Sequence, residues 1–387
     1  MEVSGGDGES TVIGGCFWRW FCSVFVVILW LNLDRGRLGK SSKAFNVFGT
    51  IAQSYQNVSL GSSLTTSDVT TFWPSPSGEF AFVFQRIGNG SGFLLAIWFN
   101  KITEKTIVWS ANRNSLAPDG SKVQLSTNGR LVLTDPNGRE MWARPKAIAE
   151  LAYGAVLDNG NFVLAASSSA TAWQSFNEPT DTIVPGQVLN LDNSLVSSFS
   201  DTNSSIGRFK FILQTDGNLV IFNQSGYIFL QAKNGTLLNS IFSNGENSGT
   251  QSMYHRAILE YDGVFRHYVY SKTSSGMQME WSTLYYVPEN ICLAITQDIG
   301  GGACVFNSLC SVVNRRPRCD FPLGYMLNDP NDKLGSCRRN FSEQDCNRES
   351  REVEAFNFQE MNNTNWPDSD YESYGGFLRI GANKLFE

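Results

Sequence analysis

A short phrase recurs along this chain, a glycine at a tight-turn position followed by apolar residues at alternate places. It constrains the fold more than any other feature. It stands as SGEFAFVF (Ser77 to Phe84), NGRLVL (Asn128 to Leu133), NGNFVL (Asn159 to Leu164), IGRFKFIL (Ile206 to Leu213), DGNLVI (Asp216 to Ile221) and DGVFRHYV (Asp262 to Val269). Asn-Gly and Asp-Gly supply the positive φ angles of tight hairpins, and the alternation that follows them is that of a half-buried strand. Between Tyr55 and about Tyr286 helical periodicity is nearly absent, so the repeat predicts an all-β architecture of short antiparallel strands. Tryptophans stand beside these phrases at Trp98, Trp109, Trp142 and Trp173. Large aromatics brought in by repeated hairpins are expected to fill the centre of a pseudo-symmetric barrel or prism, the other reading being a stacking platform for a sugar ring.

With 387 residues, 42% of them apolar, the chain can bury a sizeable core and has room for two or three domains. Charged residues make up only 17% and the net charge is -6, which lacks the basic stripe that a phosphate backbone demands and argues against nucleic acid as a partner. The cysteines change the reading after Val287. Cys292, Cys304, Cys310, Cys319, Cys337 and Cys346 crowd together, while Cys16 and Cys22 lie in an N-terminal apolar stretch. Such density is that of a small disulfide scaffold folded in an oxidising compartment. A metal site is not expected: paired C-x-x-C spacings are absent, and both histidines, His255 and His267, lie outside the cluster.

Sequons at Asn57, Asn89, Asn203, Asn223, Asn234, Asn340 and Asn362 fit the secretory route, although chance alone supplies most of that number. WFCSVFVVILWL (Trp20 to Leu31) has the length of a signal peptide and is short for a membrane span. Its flanks, acidic before and basic after, run against the usual orientation rule for export. The expectation is a secreted or cell-surface protein whose residues 1–52 are a signal peptide or an N-terminal anchor.

The stretch QTDGNLVIF (Gln214 to Phe222) carries the candidate binding chemistry. On a strand, Gln214, Asp216, Asn218, Val220 and Phe222 share one flank, and Leu219 and Ile221 share the other. One flank then offers amides and a carboxylate to a polar partner. Asp-Gly-Asn is equally good hairpin chemistry, so a purely structural turn is the competing reading.

Several long phrases, in order, carry a resemblance. SPSGEFAFVFQ (Ser75 to Gln85), IVWSANRN (Ile107 to Asn114), WQSFNEPTDTIVPGQVL (Trp173 to Leu189) and QTDGNLVIF are similar to the extracellular part of plant receptor-like kinases of the G-type lectin, S-locus-related family. CVFNSLCSVVNRRPRCDFPLGYMLNDPND (Cys304 to Asp332) and MNNTNWPDSDYE (Met361 to Glu372) resemble the EGF-like and PAN segments of the same family. The resemblance implies a bulb-type lectin domain over 53–175, a second lectin-like one over 176–286, both as β-prism units, an EGF-like module over 287–340 and a partial PAN-like segment with a divergent tail over 341–387. A membrane span and a kinase would normally follow, and the chain is read as stopping before both.

The family's mannose signature is Q-x-D-x-N-x-V-x-Y. Gln214, Asp216, Asn218 and Val220 match it, and Phe222 replaces the tyrosine. The resemblance implies that the three polar side chains bond sugar hydroxyls while Val220 packs on ring carbons. Losing the phenol removes one hydrogen bond, about 1 kcal/mol. The copy at Asn159 and Asn161 keeps an amide pair but has Leu157 and Ala165 at its ends; near Asn128 an arginine replaces the second amide, and near Asp262 the residues Glu260 and Val264 depart from the pattern. The resemblance further implies disulfides Cys292 to Cys310 and Cys304 to Cys319. Phe321 stands where a fifth cysteine belongs, so Cys337 loses its partner and, with Cys346, either forms a bridge or stays reduced.

Enzymatic chemistry is not expected. GNGSGF (Gly88 to Phe93) superficially resembles a kinase glycine loop, but neither H-R-D nor D-F-G occurs. DPND (Asp329 to Asp332) lacks EF-hand spacing and reads as a turn. The expected activity is weak recognition of a mannose-type glycan or glycoprotein without any cofactor, relying on multivalency for useful affinity. The alternative is a protein-recognition or dimerisation module with degenerate sugar sites, acting with or against full-length receptor kinases through a receptor-kinase ectodomain.

Overall fold

The computed structural model describes residues 11–13, 27–28, 57–88, 92–145, 150–190, 193–212, 219–223, 225–232, 234, 236–242, 252–273, 279–294, 303–304, 308–341 and 364–365. Apart from Val27–Ile28, the apolar N-terminal run lies outside these residues, as do Asn89, Cys346, Asn362 and almost all of 341–387, the segment expected to be PAN-like. The chain divides into two compact units, one of Ile28–Tyr261 with Phe265–Tyr286, the other of Met1–Val27, Asp262–Val264 and Val287–Glu387.

The larger unit is built as the repeated phrase requires. Trp73–Pro74, Phe80–Ile87, Gly92–Phe99 and Ile107–Ser110 form a four-stranded sheet in sequence order, each strand antiparallel to the next. Lys122–Leu125, Leu131–Thr134 and Glu140–Arg144 form a second, and Leu151–Val156, Phe162–Ala166 and Thr171–Gln174 a third. Each of the last two is completed by a strand from the start of the unit, Ser63–Thr65 and Val58–Ser59 respectively. Gly78, Gly129, Gly160 and Gly263 have the expected left-handed conformation, whereas Gly207, expected at a turn, lies within the strand Ile206–Ile212, and Gly217 is outside the described residues. At Gly160, with φ of 85°, the need is doubled: a Cβ there would lie 2.8 Å from the Phe80 ring.

The three sheets meet at their aromatic residues. Trp109, Trp142 and Trp173, one from each sheet, lie edge to face with centroids 5.9 to 6.0 Å apart, while Phe82 and Phe162 stack at 4.6 Å with Trp73 beside them. Such pairs add to the area they bury. Glu178 ties the cluster together. Its backbone carbonyl accepts from Trp109 Nε1 at 2.8 Å, its carboxylate accepts from Trp173 Nε1 at 2.9 Å and from Arg144 Nε, and the Arg144 guanidinium lies 5.5 Å from the Trp142 ring. The expected convergence is therefore present for three of the four tryptophans. Trp98 is the exception. It sits between the fully buried Ile97 and Phe99, so the strand's two-residue period turns it to the opposite flank, where Lys105 Nζ lies 5.7 Å from its ring.

Further strands extend the unit. Val188–Leu189, Leu219–Phe222, Ile228–Gln231 and Leu237–Phe242 form one sheet, Ser194–Ser198 pairs with Ile206–Ile212, and Met253–Leu259 pairs with Phe265–Ser271 along its full length and with Thr182–Ile183. They are joined to the first three sheets through the phrase SANRN. Asn112 is buried; its Oδ1 accepts from Leu95 N, and its Nδ2 donates to the Phe93 and Ser115 carbonyls. Arg113 reaches the other way and donates to the carbonyls of Val196, Ser197 and Ser204 at 2.7 to 2.9 Å, with Asp181 at 3.9 Å. Asn114 Oδ1 then accepts from Ile206 N at 2.8 Å.

In the smaller unit Leu309–Val313 pairs with Arg316–Asp320, and Tyr325–Leu327 with Cys337–Arg339. Cys292 is bonded to Cys310 and Cys304 to Cys319, the pairings that the resemblance implies. Cys337 is buried at 5% exposure. The DPND run is a turn in which Asp329 Oδ1 accepts from Asn331 N and the Asp329 carbonyl from Asp332 N.

Candidate functional site

The four copies of the Q-x-D-x-N pattern spend their polar groups differently. Gln214, Asp216 and Asn218 lie outside the described residues, whereas Val220 and Phe222 are on the strand Leu219–Phe222. Both are at 0% exposure. The flank expected to meet a sugar is at this end turned into the protein, because two large apolar side chains at alternate positions gain more from burial than a hydrated surface allows. The sequence-based role of Val220 as a floor for ring carbons and of Phe222 in place of a contacting tyrosine is corrected accordingly. Phe222 instead packs nearly perpendicular to two imidazoles, His255 at 6.4 Å and His267 at 5.2 Å between ring centroids.

The histidines come from facing strands and touch, His255 Nδ1 to His267 Nε2 at 3.1 Å. His255 is 1% and His267 0% exposed. Burial, with the neighbouring His255 adding to it, pushes the His267 imidazole down to about 3, so the ring is neutral at physiological pH. The turn at Gly226 packs so close to His255 that a Cβ would lie 2.6 Å from its ring, and φ of 85° there also requires glycine.

In the second copy the amide pair is divided. Asn161 is 5% exposed and fully engaged. Its Nδ2 donates to Gln174 Oε1, and its Oδ1 accepts from Ser175 Oγ and from Phe176 N. Asn161 therefore locks the hairpin to Ser175–Asn177, a single 3-10 turn, and offers no polar atom outward. This overturns its expected role in sugar contact. Removing the side chain strands buried donors, so Asn161→Ala is expected to cost about 1 to 3 kcal/mol, read as a lowered urea midpoint with an unchanged slope. Asn159 is half-buried and uses only Oδ1, which accepts from Asn161 N.

The remaining two copies are closed internally. Ser126 Oγ has Asn128 Oδ1 and the Arg130 carbonyl as acceptors within reach of its one proton and accepts from the Arg130 amide, and Arg130 pairs with Glu140 at 3.0 Å. In the last copy Glu260 accepts from Arg266 at 2.5 Å and from the Tyr268 hydroxyl at 2.8 Å. Arg266 and Tyr268 continue the two-residue period beyond Asp262 and were missed by the sequence reading, although extending the pattern by four residues would have found them.

Five sequons place their asparagine among the described residues. Asn57, Asn203, Asn234 and Asn340 are exposed, and Asn223 is half-buried with Oδ1 accepting from Ser225 N and Tyr227 N. No helix among the described residues is long and apolar enough to cross a membrane.

The family model for the D-mannose binding lectin domain matches residues 106–200. Among relatives, the G-type lectin S-receptor-like serine/threonine-protein kinase LECRK3 of Oryza sativa subsp. indica is 37% identical over 377 residues, covering 86% of this chain and 46% of that protein. LECRK4 of the same subspecies is 39% identical over 360 residues, covering 82% and 44%. The chain thus spans about half the length of the curated relatives it matches. A monomeric monocot mannose-binding lectin from Gastrodia elata, among solved structures, is 21% identical with a TM-score of 0.24, covering 31% of this chain and 94% of that one. Identity of this extent over more than four-fifths of the chain, with the lectin-domain match at 106–200, places the chain in the G-type lectin S-receptor-like family.

Proposed function

We propose that this protein is a carbohydrate-recognition ectodomain that binds mannose-type glycans weakly. The match of residues 106–200 to the mannose-binding lectin domain carries this reading. Gln214, Asp216 and Asn218 are its first contact set, since Asn161, Ser126 and Glu260 at corresponding places of the other copies are spent on internal bonds. With Val220 buried, the contact is made by hydrogen bonds alone, and affinity per site stays low. Several sites or several chains must engage one glycan for useful avidity. The finer architecture belongs to the same reading: two tandem lectin β-prism units over 53–175 and 176–286, an EGF-like module over 287–340 and a PAN-like segment over 341–387, made in the secretory pathway and displayed outside the cell, where disulfides persist.

Binding of the full chain to an array of mannose-terminated glycans tests the proposal. Asp216→Ala is expected to lower array signal several-fold with melting unchanged, and a wild-type chain that retains no glycan would refute it. The internal use of three copies also favours a second reading, in which the lectin scaffold recognises a receptor-kinase ectodomain without sugar. Co-precipitation that persists after glycan removal would select it.

A further inference from the structure

Asn159 and its neighbour Asp158 stand at the mouth of a cleft of about 180 Å³ in the larger unit, facing Glu79, Tyr254, Met253 and Lys272. The cleft joins the first set of hairpins to the Met253–Leu259 strand. Its polar groups are arranged around one opening. Glu79 Oε1 pairs with Lys272 Nζ at 3.0 Å, and that ammonium lies 4.6 Å from the Tyr254 ring. Asp158 Oδ1 accepts from the Ser77 amide and hydroxyl at 2.8 and 2.6 Å. These bonds fix the carboxylates in place and leave capacity over. Among the described residues Asp158 Oδ2, Glu79 Oε2 and Asn159 Nδ2 have no protein partner.

Two acceptors, an amide donor and an ammonium in one opening match the alternating donor and acceptor character of adjacent hydroxyls. The walls supply apolar edges from Phe80 and Tyr254. The volume is well under the roughly 300 to 1,000 Å³ of pockets that hold drug-sized ligands, so the occupant is a single ring. Two carboxylates against one ammonium exclude phosphate and other anions. We propose that this cleft is a second saccharide subsite taking one neutral pyranose ring, with Asn159 Nδ2 donating to a ring hydroxyl and Glu79 and Asp158 accepting from neighbouring ones. The proposal rests on the lectin reading given above and adds to it a site that takes one position, Asn159, from the second copy of the pattern and its other groups, Glu79, Asp158, Tyr254 and Lys272, from outside it.

The test uses the full chain and methyl α-mannoside as the sugar. Met253 is half-buried in the cleft wall, whereas Met279 and Met326 are exposed elsewhere and serve as internal controls. Hydroxyl-radical footprinting with mass spectrometry should show Met253 oxidation slowed several-fold by the sugar and the two controls unaffected. Asn159→Asp keeps the Oδ1 acceptor that holds the turn, replaces the Nδ2 donor by an acceptor and adds a negative charge beside Asp158 and Glu79. It should weaken binding about tenfold, abolish protection of Met253 and leave the melting temperature unchanged. If glycans bind on the array but Met253 is not protected and Asn159→Asp binds as the wild type does, the cleft is not a subsite and the lectin reading stands. If the wild type binds no glycan at all, both fall.

Discussion

Arg113→Ala is expected to lower the unfolding free energy by about 3 to 5 kcal/mol, the cost of breaking a buried charged contact by removing one partner. The guanidinium is largely buried; that burial holds its pKa below the ordinary arginine range, against the opposing pull of Asp181. It remains a cation, and three backbone carbonyls from Val196, Ser197 and Ser204 converge on it. Deleting it leaves those carbonyls without their charged donor and leaves Asp181 with Ser198 and Thr182 as its remaining bonds. Arg113→Lys should recover little, because an ammonium cannot span a fork of three acceptors held by a planar group. Urea unfolding of the three proteins checks this, and a loss under 1 kcal/mol in the alanine variant would show that the clamp is not energetic.

Acid is expected to destabilise the protein through the His255 and His267 pair. The His267 pKa falls from 6.5 in the unfolded chain to about 3 in the folded protein. A base with a depressed folded pKa leaves stability intact above 6.5. The unfolded state takes up the proton first as pH falls, and stability drops through the interval from 6.5 to about 3. At pH 5 the loss amounts to about 2 kcal/mol, and it approaches about 5 kcal/mol near pH 3. Among the described residues the rings around the imidazole are Phe222, His255 and Tyr285. Urea midpoints measured from pH 8 to pH 4 for the wild type and His267→Gln should diverge below pH 6.5; parallel curves would remove the pair from the explanation.

The hairpins and their tryptophan-centred core were legible in the sequence because turn chemistry and two-residue alternation are local. Trp98 was misread with them because both flanks of its strand are buried, so apolar character does not say which one meets the aromatic core: Leu95, Ile97 and Phe99 join that core, whereas Leu94 and Ala96 share the other flank with Trp98. Asn161 was misread for a different reason. An amide at an alternate position looks the same whether water or another segment faces it, and here the deciding partners, Ser175 and Phe176, arrive from 14 and 15 residues downstream. The cleft at Asn159 was invisible for the same cause on a larger scale. Its walls, Glu79 and Lys272, are 193 residues apart and become neighbours only when the hairpins have assembled.

The position of Glu178 sets a rule for recombining this chain with its relatives. A carbonyl and a carboxylate on one residue serve indoles from two sheets and, through Arg144, the indole of the third. A chimera that exchanges one of these sheets keeps the cluster only where the incoming strand again supplies an indole to Glu178 or an arginine at the Arg144 position, so crossovers are best placed outside 107–178.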